Sequence, residues 1–481
     1  MDITLKPYID TTTTNLALHQ KISQGIIDLI TKGVLPRGQK LPSVNQMALD
    51  LGVHRLTVLR SLEELEAEGW IRKQEKRGAF VNEDLPVYRF KSPMAPLSGP
   101  LPEMDIPDLD IRPLKQDYSR LSFNDGYPDH RFMPHRELAR AYSTVLREKT
   151  SKQLLLYYDL TGYAPLVNTL KEYLQNTRSI NFEHRELLVT RGSTNGLYLA
   201  IKALLVPGNT VAMGEPGYHL MRETFLTCGM KVISLPVDEQ GVVVDALEDR
   251  LKNQPIKMVY VTPHHHHPTA VSVPAERRLQ LLALAEKYGF VILEDDYDFD
   301  FHYDRSPTLP IISLNPNAPV IYCGGFSKSL SPALRIGFLA AHPKVVDNAC
   351  RWRKLIDRQG DTIQEAAFEL MLKNGIVDKA IRKARRAYQL RRDHAYDLLN
   401  LKLPGLFEMK KPSGGLAFWA KVNPQVNYPE LRKKALEKGL HLVAGDNYTL
   451  NRQAHTRLGF ASMTEEETQE AVDILSDLIP V

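Results

Sequence analysis

One lysine, Lys328, is placed where its amine could attack a carbonyl group. It lies in Gly324-Gly-Phe-Ser-Lys-Ser-Leu, directly after an apolar run from Val320 to Cys323 that predicts a strand. A residue at the carboxyl end of a strand in an open α/β sheet faces the crevice where such sheets bind ligands. We therefore predict that Lys328 forms a Schiff base with the aldehyde of a bound cofactor.

A run of acids, Glu294-Asp-Asp-Tyr-Asp, closes a second predicted strand, Phe290–Glu294. A pyridine ring works as an electron sink only while its nitrogen is protonated, and a carboxylate beside the nitrogen keeps it so. We predict that Asp295 supplies this carboxylate. Asp296 is the alternative, because the pattern alone does not separate these acids from Glu294. Tyr297 is predicted to hydrogen-bond the phenolic oxygen of the ring.

A phosphate group would find donors at two places. Gly192-Ser-Thr-Asn begins a predicted helix (Leu197–Leu205), and the N-terminus of a helix binds anions. The phosphate ligands predicted there and near Lys328 are Ser193, Thr194, Ser327 and Arg335. Tyr218, in Glu215-Pro-Gly-Tyr, is the candidate aromatic for the ring face. A lysine, a carboxylate, a phosphate cradle and an aromatic ring together predict pyridoxal 5'-phosphate as the cofactor.

The same region contains Thr190-Arg-Gly-Ser, Glu215-Pro-Gly-Tyr, Glu294-Asp-Asp-Tyr-Asp and Ser327-Lys-Ser-Leu-Ser-Pro-Ala-Leu-Arg-Ile-Gly. These segments resemble the type I aminotransferase fold and, more narrowly, its regulatory branch, the MocR family. The resemblance implies that Lys328 holds the cofactor. It implies that Arg457, in His455-Thr-Arg-Leu-Gly-Phe, grips the carboxylate of an effector, which a planar guanidinium suits. It also implies that Tyr158 reaches a phosphate across a dimer interface.

Four consecutive histidines lie in Thr262-Pro-His-His-His-His-Pro-Thr-Ala. Aminotransferases proper carry an asparagine before Pro-Thr-Gly, and here the glycine is replaced by Ala270. Regulators similar to the MocR family commonly have a histidine in this segment, and we predict that His265 contacts the ring or its oxygen. Successive residues of an extended chain point in opposite directions, so four adjacent imidazoles cannot converge on one ion. We therefore predict no metal site.

The first 82 residues predict three helices and a hairpin. Leu18, Ile22, Ile26 and Leu29 give the first helix, Leu16–Ile30, one buried face. Ser43 and Gln46 form a capping box that begins a second helix ending at Gly52, and a third follows over Arg55–Glu68 with Val58, Leu62 and Leu65 inward. Two β-prone runs, Trp70–Lys73 and Ala79–Val81, predict a hairpin. Two short helices around a tight turn, followed by a basic hairpin, are typical of a DNA-binding domain, although the pattern alone also fits a small helical protein-interaction domain with ordinary solvated charges.

The polar surface of the third helix and the hairpin would contact DNA. Arginines donate to phosphates or guanine edges, and threonine can do either. The predicted DNA contacts are Ser43, His54, Arg55, Thr57, Arg60, Lys76, Arg77 and Gly78, with Arg72 and Lys73 adding charge to the wing. Leu35-Pro-Arg-Gly-Gln-Lys-Leu-Pro-Ser, Ala48-Leu-Asp-Leu-Gly-Val-His-Arg-Leu-Thr-Val and Leu65-Glu-Ala-Glu-Gly-Trp-Ile resemble the winged helix-turn-helix of the GntR family. That family usually carries an arginine where this chain has Asn45.

The elements that position these residues fall into two domains. Residues 1–82 are predicted to form the winged helix-turn-helix. Residues 83–119, with seven of the 31 prolines between Pro86 and Pro113, predict a semi-rigid linker. Residues 120–481 predict an α/β domain of the aminotransferase type, with a large part at about 150–375 and a small part at about 376–481. This domain contains a predicted βαβ unit, whose strands are Lys257–Thr262 and Phe290–Glu294. The helix between them is predicted over Ala275–Tyr288, with Leu279, Leu282 and Ala285 on its apolar face.

Composition bounds the location and the partners. The net charge of +4 over 481 residues is small, so charge alone does not indicate nucleic acid binding. Three distant cysteines do not form a disulfide framework, and the N-terminus shows neither a signal-peptide pattern nor a membrane span. We expect a cytoplasmic, nucleoid-associated protein.

Three functions are compatible with these features of the sequence. The favoured one is a transcription regulator that senses an amino compound through aldimine exchange at Lys328 and acts as a domain-swapped homodimer on a double-stranded operator. The alternative is an active aminotransferase with an accessory DNA-binding domain, since slow half-transamination remains chemically open. The third is a cofactor-binding or interaction protein without regulatory action. The DNA reader and its linker favour the first function, because a plain transaminase needs neither.

Overall fold

A computed structural model describes residues 5, 7, 9, 16–75, 77–85, 119–148, 151–304, 306–445, 448 and 455–479. The chain divides into two units, Met1–Pro107 and Asp108–Val481. The division falls inside the predicted linker 83–119, most of which lies outside the described residues. No helix in the described ranges combines the length and apolar character needed to cross a membrane.

The smaller unit has three helices and a hairpin. Its elements are α1 (Leu18–Thr31), α2 (Val44–Leu51), α3 (Arg55–Ala67), β1 (Ile71–Gln74) and β2 (Gly78–Val81). The side chain of Ser43 caps α2 by accepting from the Gln46 amide at 3.2 Å, and Gly52 ends it with φ of 66°, a conformation that favours glycine. The predicted capping box is therefore half present, because the Gln46 side chain donates to Asp50 instead.

The core of this unit lies between α1, α3 and the hairpin. Its buried residues include Ile22, Ile26, Met47, Val58, Leu62, Leu65, Trp70 and Val81. The prediction of an inward Leu18 is wrong, since that side chain is 38% exposed at the first turn of α1. The wing pairs Ile71 with Val81, as the alternation of apolar residues in the two runs requires.

The larger unit contains thirteen strands in its described part. They are β3 (Leu121–Phe123), β4 (Glu186–Thr190), β5 (Thr210–Glu215), β6 (Lys231–Asp238), β7 (Gly241–Val242), β8 (Met258–Val261), β9 (Val291–Asp296), β10 (Val320–Gly325), β11 (Gly337–Ala341), β12 (Phe407–Met409), β13 (Ala417–Val422), β14 (Leu440–Leu442) and β15 (His455–Gly459). Eight of them form one sheet in the order β4-β11-β10-β9-β8-β5-β6-β7. Its central strands from β10 to β6 are parallel, and β11 and β7 are antiparallel to their neighbours.

The helices of this unit cover the sheet and build the smaller subdomain. They are α4 (His135–Arg147), α5 (Ser151–Leu154), α6 (Ala164–Arg178), α7 (Ser193–Leu204), α8 (His219–Thr227), α9 (Val244–Asn253), α10 (Ala275–Tyr288), α11 (Ile311–Leu314), α12 (Pro343–Ile356), α13 (Thr362–Lys373), α14 (Ile376–Lys402), α15 (Tyr428–Glu437) and α16 (Glu465–Leu478). The predicted helix Ala275–Tyr288 is confirmed, but Leu279 is 54% exposed and does not face the core as predicted. Leu282 and Ala285 are buried as predicted, and Leu281 is buried in place of Leu279.

A smaller subdomain is built from the C-terminal part of the chain together with β3. The strands β12, β13 and β15 form one sheet, and β14 pairs in parallel with β3. Leu121 and Phe123 are buried in the same cluster as Phe418 and Leu458. The predicted bounds of about 376–481 therefore omit β3, because a pairing between segments more than 300 residues apart leaves no local pattern in the sequence.

The carboxyl edge of the sheet brings the predicted chemistry together. The strands β9 and β10 run parallel, and their register pairs Cys323 with Asp295 and Gly324 with Asp296. The acids thus end one strand beside the strand that leads to Lys328. Ligands bind at this edge of open α/β sheets, so the edge is the place to look for a site.

Candidate functional site

Lys328 lies in a turn that its neighbours hold in place. The Ser329 hydroxyl donates to the carboxylate of Asp300, and the Phe326 amide donates to the Ile336 carbonyl at 3.0 Å. The half-buried Lys328 amine donates to the carbonyl of Gly126 at 2.8 Å. Burial lowers the pKa of Lys328 below its ordinary value. A lysine that loses its proton more readily is a better nucleophile toward an aldehyde.

Asp295 has one carboxylate oxygen that the protein leaves unused. Its Oδ2 accepts from the hydroxyl of Tyr260 at 2.8 Å, whereas its Oδ1 is buried with no hydrogen-bond partner among the described residues. Burial raises the pKa of Asp295 to about 7. Burying a hydrogen-bond acceptor without a partner costs free energy, so we expect a bound ligand to supply a donor to this oxygen.

The two neighbouring acids are already engaged. Glu294 accepts from the amides of Ile311 and Ile312, at 2.8 and 3.0 Å, where α11 begins. Through Oδ2, Asp296 accepts from the Tyr322 hydroxyl at 2.5 Å and lies 3.9 Å from the guanidinium of the fully buried Arg178. Its Oδ1 makes no hydrogen bond among the described residues but lies 3.2 Å from the Nδ1 of His264, so a group of the chain itself already faces it. The alternative that the sequence left open, Asp296, therefore serves the packing of the sheet. Asp295 is the acid whose contacts leave room for a ligand.

The predicted phosphate donors converge at the start of α7. The first N–H groups of a helix have no partner within it, and Ser193 and Thr194 occupy these positions. An added Cβ on Gly192 would lie 2.9 Å from the Arg335 guanidinium, and one on Gly325 would lie 3.4 Å from the Ser193 amide nitrogen. Arg335 donates to the Arg191 carbonyl at 2.7 Å, with the rest of its side chain exposed.

Ser327, the remaining predicted phosphate ligand, is half-buried one residue before Lys328. It therefore lies in the same turn as the lysine, on the β10 side of this cradle. Together, the N–H groups at the start of α7 and the nearby Arg335 guanidinium offer the donors that a phosphate needs.

Tyr218 and His267 form an aromatic wall beside the lysine. Their rings meet edge to face with centroids 4.9 Å apart. Burial raises the pKa of Tyr218, and the charges of Asp295 and Asp125 raise it further, so Tyr218 lies near both acids. Tyr297, predicted to bind the ring oxygen, donates instead to the backbone carbonyl of His265 at 2.9 Å, which leaves its oxygen only as an acceptor.

The prediction for His265 does not match its surroundings. Its Nδ1 lies 2.9 Å from Asp298 Oδ1, and its Nε2 faces the backbone of Gly414 so closely that a Cβ there would lie 2.0 Å away. The imidazole that joins the cluster around Lys328 is His267, directly before Pro268. The sequence contained a signal for it, because this is the position where aminotransferases carry their asparagine.

The four histidines do not share a centre. Each ring has its own partner: Thr308 for His264, Asp298 for His265, Thr269 for His266 and Asp125 for His267. The segment is a series of bends rather than the extended chain that the prediction assumed. Among the described residues, no group of three or more His, Cys, Asp or Glu side chains is arranged to hold a metal ion.

Arg457 is buried, with 2% of its surface exposed. Its Nε lies 2.8 Å from Asp125 Oδ1, and its Nη1 donates to the carbonyl of Pro268 at 2.7 Å. Asp125 also accepts from the Tyr448 hydroxyl at 2.7 Å. Burial by itself would raise the pKa of Asp125, but His267 and Arg457 hold it well below its usual range. No sequence pattern singled out Asp125, which follows β3 and meets Arg457 only through folding.

Tyr158 makes its contacts within its own chain, and its predicted role across a dimer interface stays a prediction. Its ring is half-buried and lies 5.8 Å from that of Tyr163, and its amide donates to Gln359 at 2.7 Å. The preceding residue, Tyr157, is 76% exposed. Tyr157 therefore presents its ring outward, and Tyr158 packs within its own chain.

The smaller unit displays most of the predicted DNA contacts on its surface. Ser43, His54, Arg55, Arg60, Arg77 and Gly78 are exposed, Thr57 is half-buried, and Lys76 lies outside the described residues. Ser43 and His54 also cap α2 and α3, since the His54 ring accepts from the Leu56 amide at 3.3 Å. In the wing, Arg72 pairs with Glu83 and Lys73 with Glu66, so these two cations are partly neutralised.

The contacts of the site suit the group that the sequence predicted. A cationic ring nitrogen would satisfy the orphaned oxygen of Asp295, and the start of α7 with Arg335 would take a phosphate. Lys328 and the aromatic wall lie at the same sheet edge. Tyr260, which fixes Asp295, was missed by the sequence analysis because a tyrosine inside a strand resembles ordinary core.

Two family models match this chain. The model described as aminotransferase class I and II matches residues 121–475, and the model of the bacterial regulatory proteins of the gntR family matches residues 18–81. The matches follow the two units of the structure and confirm the predicted fold class of each.

Similar proteins span the same two domains. The HTH-type transcriptional regulator TauR of Rhodobacter capsulatus is 30% identical over 93% of this chain and 95% of its own length. The probable rhizopine catabolism regulatory protein MocR of Rhizobium meliloti is 25% identical over 96% of this chain and 93% of its own. Among solved structures, α-aminoadipate aminotransferase from Thermus thermophilus, complexed with N-(5'-phosphopyridoxyl)-L-leucine, is 28% identical over 74% of this chain and 91% of its own, with a TM-score of 0.69.

Proposed function

We propose a mechanism for a chain that belongs to the aminotransferase class I and II family and is a DNA-binding transcription regulator of the MocR and TauR type. Its larger unit is the sensor, and its smaller unit reads DNA through α3 and the wing. The sensor binds pyridoxal phosphate and an amino compound. The observation that carries this proposal is the buried Oδ1 of Asp295, which has no hydrogen-bond partner in the described part of the chain and lies at the sheet edge that also carries Lys328.

Each residue of the site has a task in this proposal. When bound, pyridoxal phosphate supplies an aldehyde for the Lys328 amine and an electron-withdrawing ring. Asp295, fixed by Tyr260, keeps a proton on the ring nitrogen. Ser193, Thr194, Ser327 and Arg335 hold the phosphate, and Tyr218 and His267 enclose the ring and exclude water. These roles follow the contacts of the site and the chemistry that each side chain offers.

The response to an effector requires two states of the protein. With the cofactor and an amino compound bound, the Lys328 amine would be free to accept or donate a proton, and Arg457 would hold an acidic group of the compound. Differential contacts with the effector then favour one arrangement of the paired sensors, and this alters how two readers meet two half-sites. A ligand shifts such an equilibrium only by its difference in affinity for the two states.

A dimer of the sensor is supported by exposed apolar side chains on neighbouring segments. Leu155, Leu156, Tyr157, Leu355 and Ile356 are each at least 50% exposed. The segments touch, because the Arg358 guanidinium lies 3.9 Å from the centre of the Tyr157 ring. We call these five side chains the apolar patch. Exposed apolar side chains on segments that touch each other are typical of an interface, and a two-fold axis would pair them with their own copy. In such a dimer Tyr157 is the tyrosine that reaches across, in place of Tyr158.

A second candidate function is catalytic turnover as an aminotransferase. It is favoured by the completeness of the site around Lys328 and by the likeness of the sensor to solved aminotransferases. The DNA reader has no task in that function. Multiple turnovers at ordinary enzyme rates, with an amino donor and a 2-oxo acid, would support the second candidate over the first.

Lys328→Ala tests the proposal. With pyridoxal phosphate supplied, we expect the variant to lack the near-visible absorbance of a lysine-linked cofactor and to add no mass after borohydride reduction. Its affinity for operator DNA should stay measurable but no longer respond to amino compounds. Lys344→Ala, which removes an exposed lysine at the start of α12, is the matched control and should behave as the wild type. A wild-type protein that stays colourless, or a variant that keeps the band, would contradict the assignment.

A further inference from the structure

The carboxylate of Asp125 lies against the guanidinium of Arg457, which the proposed function assigns to the carboxylate of an effector. Asp125 Oδ1 lies 2.8 Å from Arg457 Nε, and the Nη1 of the same guanidinium donates to the Pro268 carbonyl at 2.7 Å. A guanidinium binds a carboxylate best through two parallel donors. Here Nε forms a close ion pair with Asp125 without the geometry of a hydrogen bond, and Nη1 is used by the backbone. A second carboxylate therefore meets a guanidinium whose charge is already paired.

The other contacts of Asp125 are those expected for a bound acid. The Tyr448 hydroxyl donates to its Oδ1 at 2.7 Å, and the Nε2 of His267 lies 3.3 Å from its Oδ2. Both oxygens therefore have partners, and Asp125 and Arg457 neutralise each other's charge. A second carboxylate brought to this place would add an unpaired negative charge to buried surroundings, which is unfavourable.

The turn that carries Asp125 is anchored over the reactive lysine. The Gly126 carbonyl accepts from the Lys328 amine, and the Lys328 amine also lies 4.8 Å from the centre of the Tyr127 ring. The Asn124 side chain accepts from the Tyr127 amide at 2.7 Å, and the Asn124 carbonyl accepts from the Gly459 amide at 2.8 Å. The turn is thus fixed to β15, the strand that carries Arg457, so the carboxylate is presented to the guanidinium by the fold itself.

We propose that Asp125 is an internal carboxylate seated in the effector's carboxylate subsite at Arg457, and that it biases the sensor toward amines that carry no carboxylate. This inference rests on the proposed function of Lys328. An amine without an acidic group reaches the lysine without competing for Arg457. An amino acid must first displace Asp125, leaving that carboxylate with only Tyr448 and His267 as partners.

The test compares pairs of probes that differ only in the acid. L-Alanine is paired with ethylamine, and 4-aminobutanoate with propylamine, in titrations of the full chain with bound pyridoxal phosphate followed by its absorbance. In the wild type each amine should bind more tightly than its amino acid partner. In Asp125→Ala the ratio of amino acid to amine Kd should fall about ten-fold or more, which corresponds to about 1.4 kcal/mol. Asp125→Asn, which keeps the shape of the side chain, should lower the ratio less. A change at Lys328 that alters both Kd values by the same factor cancels in this ratio.

The Arg457→Ala variant is the background in which the effect of Asp125 is checked. In Arg457→Ala, adding Asp125→Ala should leave the ratio unchanged, because the two substitutions act on one pair. A ratio that stays the same in both Asp125 variants, or a wild type that binds amino acids more tightly than amines, would overturn the inference and leave the proposed function standing. A bound cofactor whose absorbance responds to no probe would overturn both. If the Asp125 variants do not hold the cofactor, the comparison within the wild type still decides.

Discussion

At the scale of single residues, the acids that end β9 show how folding separates three neighbouring carboxylates. Glu294 binds backbone amides, Asp296 contacts Tyr322 and His264, and Asp295 keeps an oxygen that has no partner among the described residues. The sequence placed all three at one strand end and favoured Asp295, but the pattern did not force that choice, because their partners lie on other strands and helices. The same reason explains why His267 and Asp125 were missed as members of the site.

The protonation of Asp295 predicts a pH dependence of stability. Its pKa is about 7 in the folded chain against an ordinary value of 3.8, so between these values the folded state holds a proton that the unfolded state has lost. The free energy of unfolding of the cofactor-free protein should therefore fall as pH rises from about 4 to 7, by roughly 4 kcal/mol at most from this group, and level off above.

Asp295→Asn isolates this contribution. The variant should show a shallower fall in thermal stability between pH 5 and 8 than the wild type. Asp477→Asn, at a 73% exposed carboxylate, is the control and should keep the wild-type slope. Burial also raises the pKa values of Glu294 and Glu365 to about 7. These two groups contribute equally to the pH dependence of the wild type and of Asp295→Asn, so they do not affect the comparison. An unchanged slope in Asp295→Asn would show that this carboxyl group is ionised in the folded chain.

At the scale of elements, local patterns predicted most of the helices and strands around the site. The helix Ala275–Tyr288 and the starts of α2 and α3 were predicted because caps, glycines and periodicity act within a few residues. The exposed Leu279 was not predicted, since the sheet decides which side of a helix is covered. The parallel pairing of β3 with β14 could not be predicted either, because its cause lies in packing between distant segments.

The exposed start of α3 predicts where DNA is read. Arg55→Ala should weaken operator binding by about 1–3 kcal/mol if the side chain reads a guanine, or lower the slope of log K against log salt by about 1 if it contacts a phosphate. Lys32→Ala removes an exposed cation at the end of α1 and serves as the control. Binding should be measured at several salt concentrations on operator and unrelated duplexes. Equal affinities for wild type and Arg55→Ala at every salt concentration would exclude α3 as the reading element.

At the scale of the whole molecule, resemblance to known families predicted the two folds, which the periodicity of apolar residues alone could not identify. The motifs around Lys328 and in the smaller unit predicted both folds, and the family matches confirm them. Assembly was implied only by the resemblance. The structure adds a physical reason for it, since the apolar patch would otherwise stay in water.

The apolar patch makes assembly testable. Leu355→Glu places a charge where a two-fold interface would bury a leucine, and it should raise the Kd of the dimer about thirty-fold or more. Leu401→Glu is a matched control, because Leu401 is 76% exposed on α14 and Leu355 is 77% exposed on α12. Sedimentation over a range of concentrations should show weaker association only for the first variant. Equal association of both variants would place the interface elsewhere.

The histidine run has a practical consequence for anyone who purifies this protein. Four consecutive imidazoles ordinarily serve as a handle for immobilised nickel, because imidazole is a good ligand for that ion. In the folded chain the four rings are 4–7% exposed, and each is turned to a different neighbour. The native protein should therefore pass through a nickel resin, whereas chains whose central sheet has opened should be retained. Retention on the resin would therefore indicate which molecules have unfolded around the central sheet.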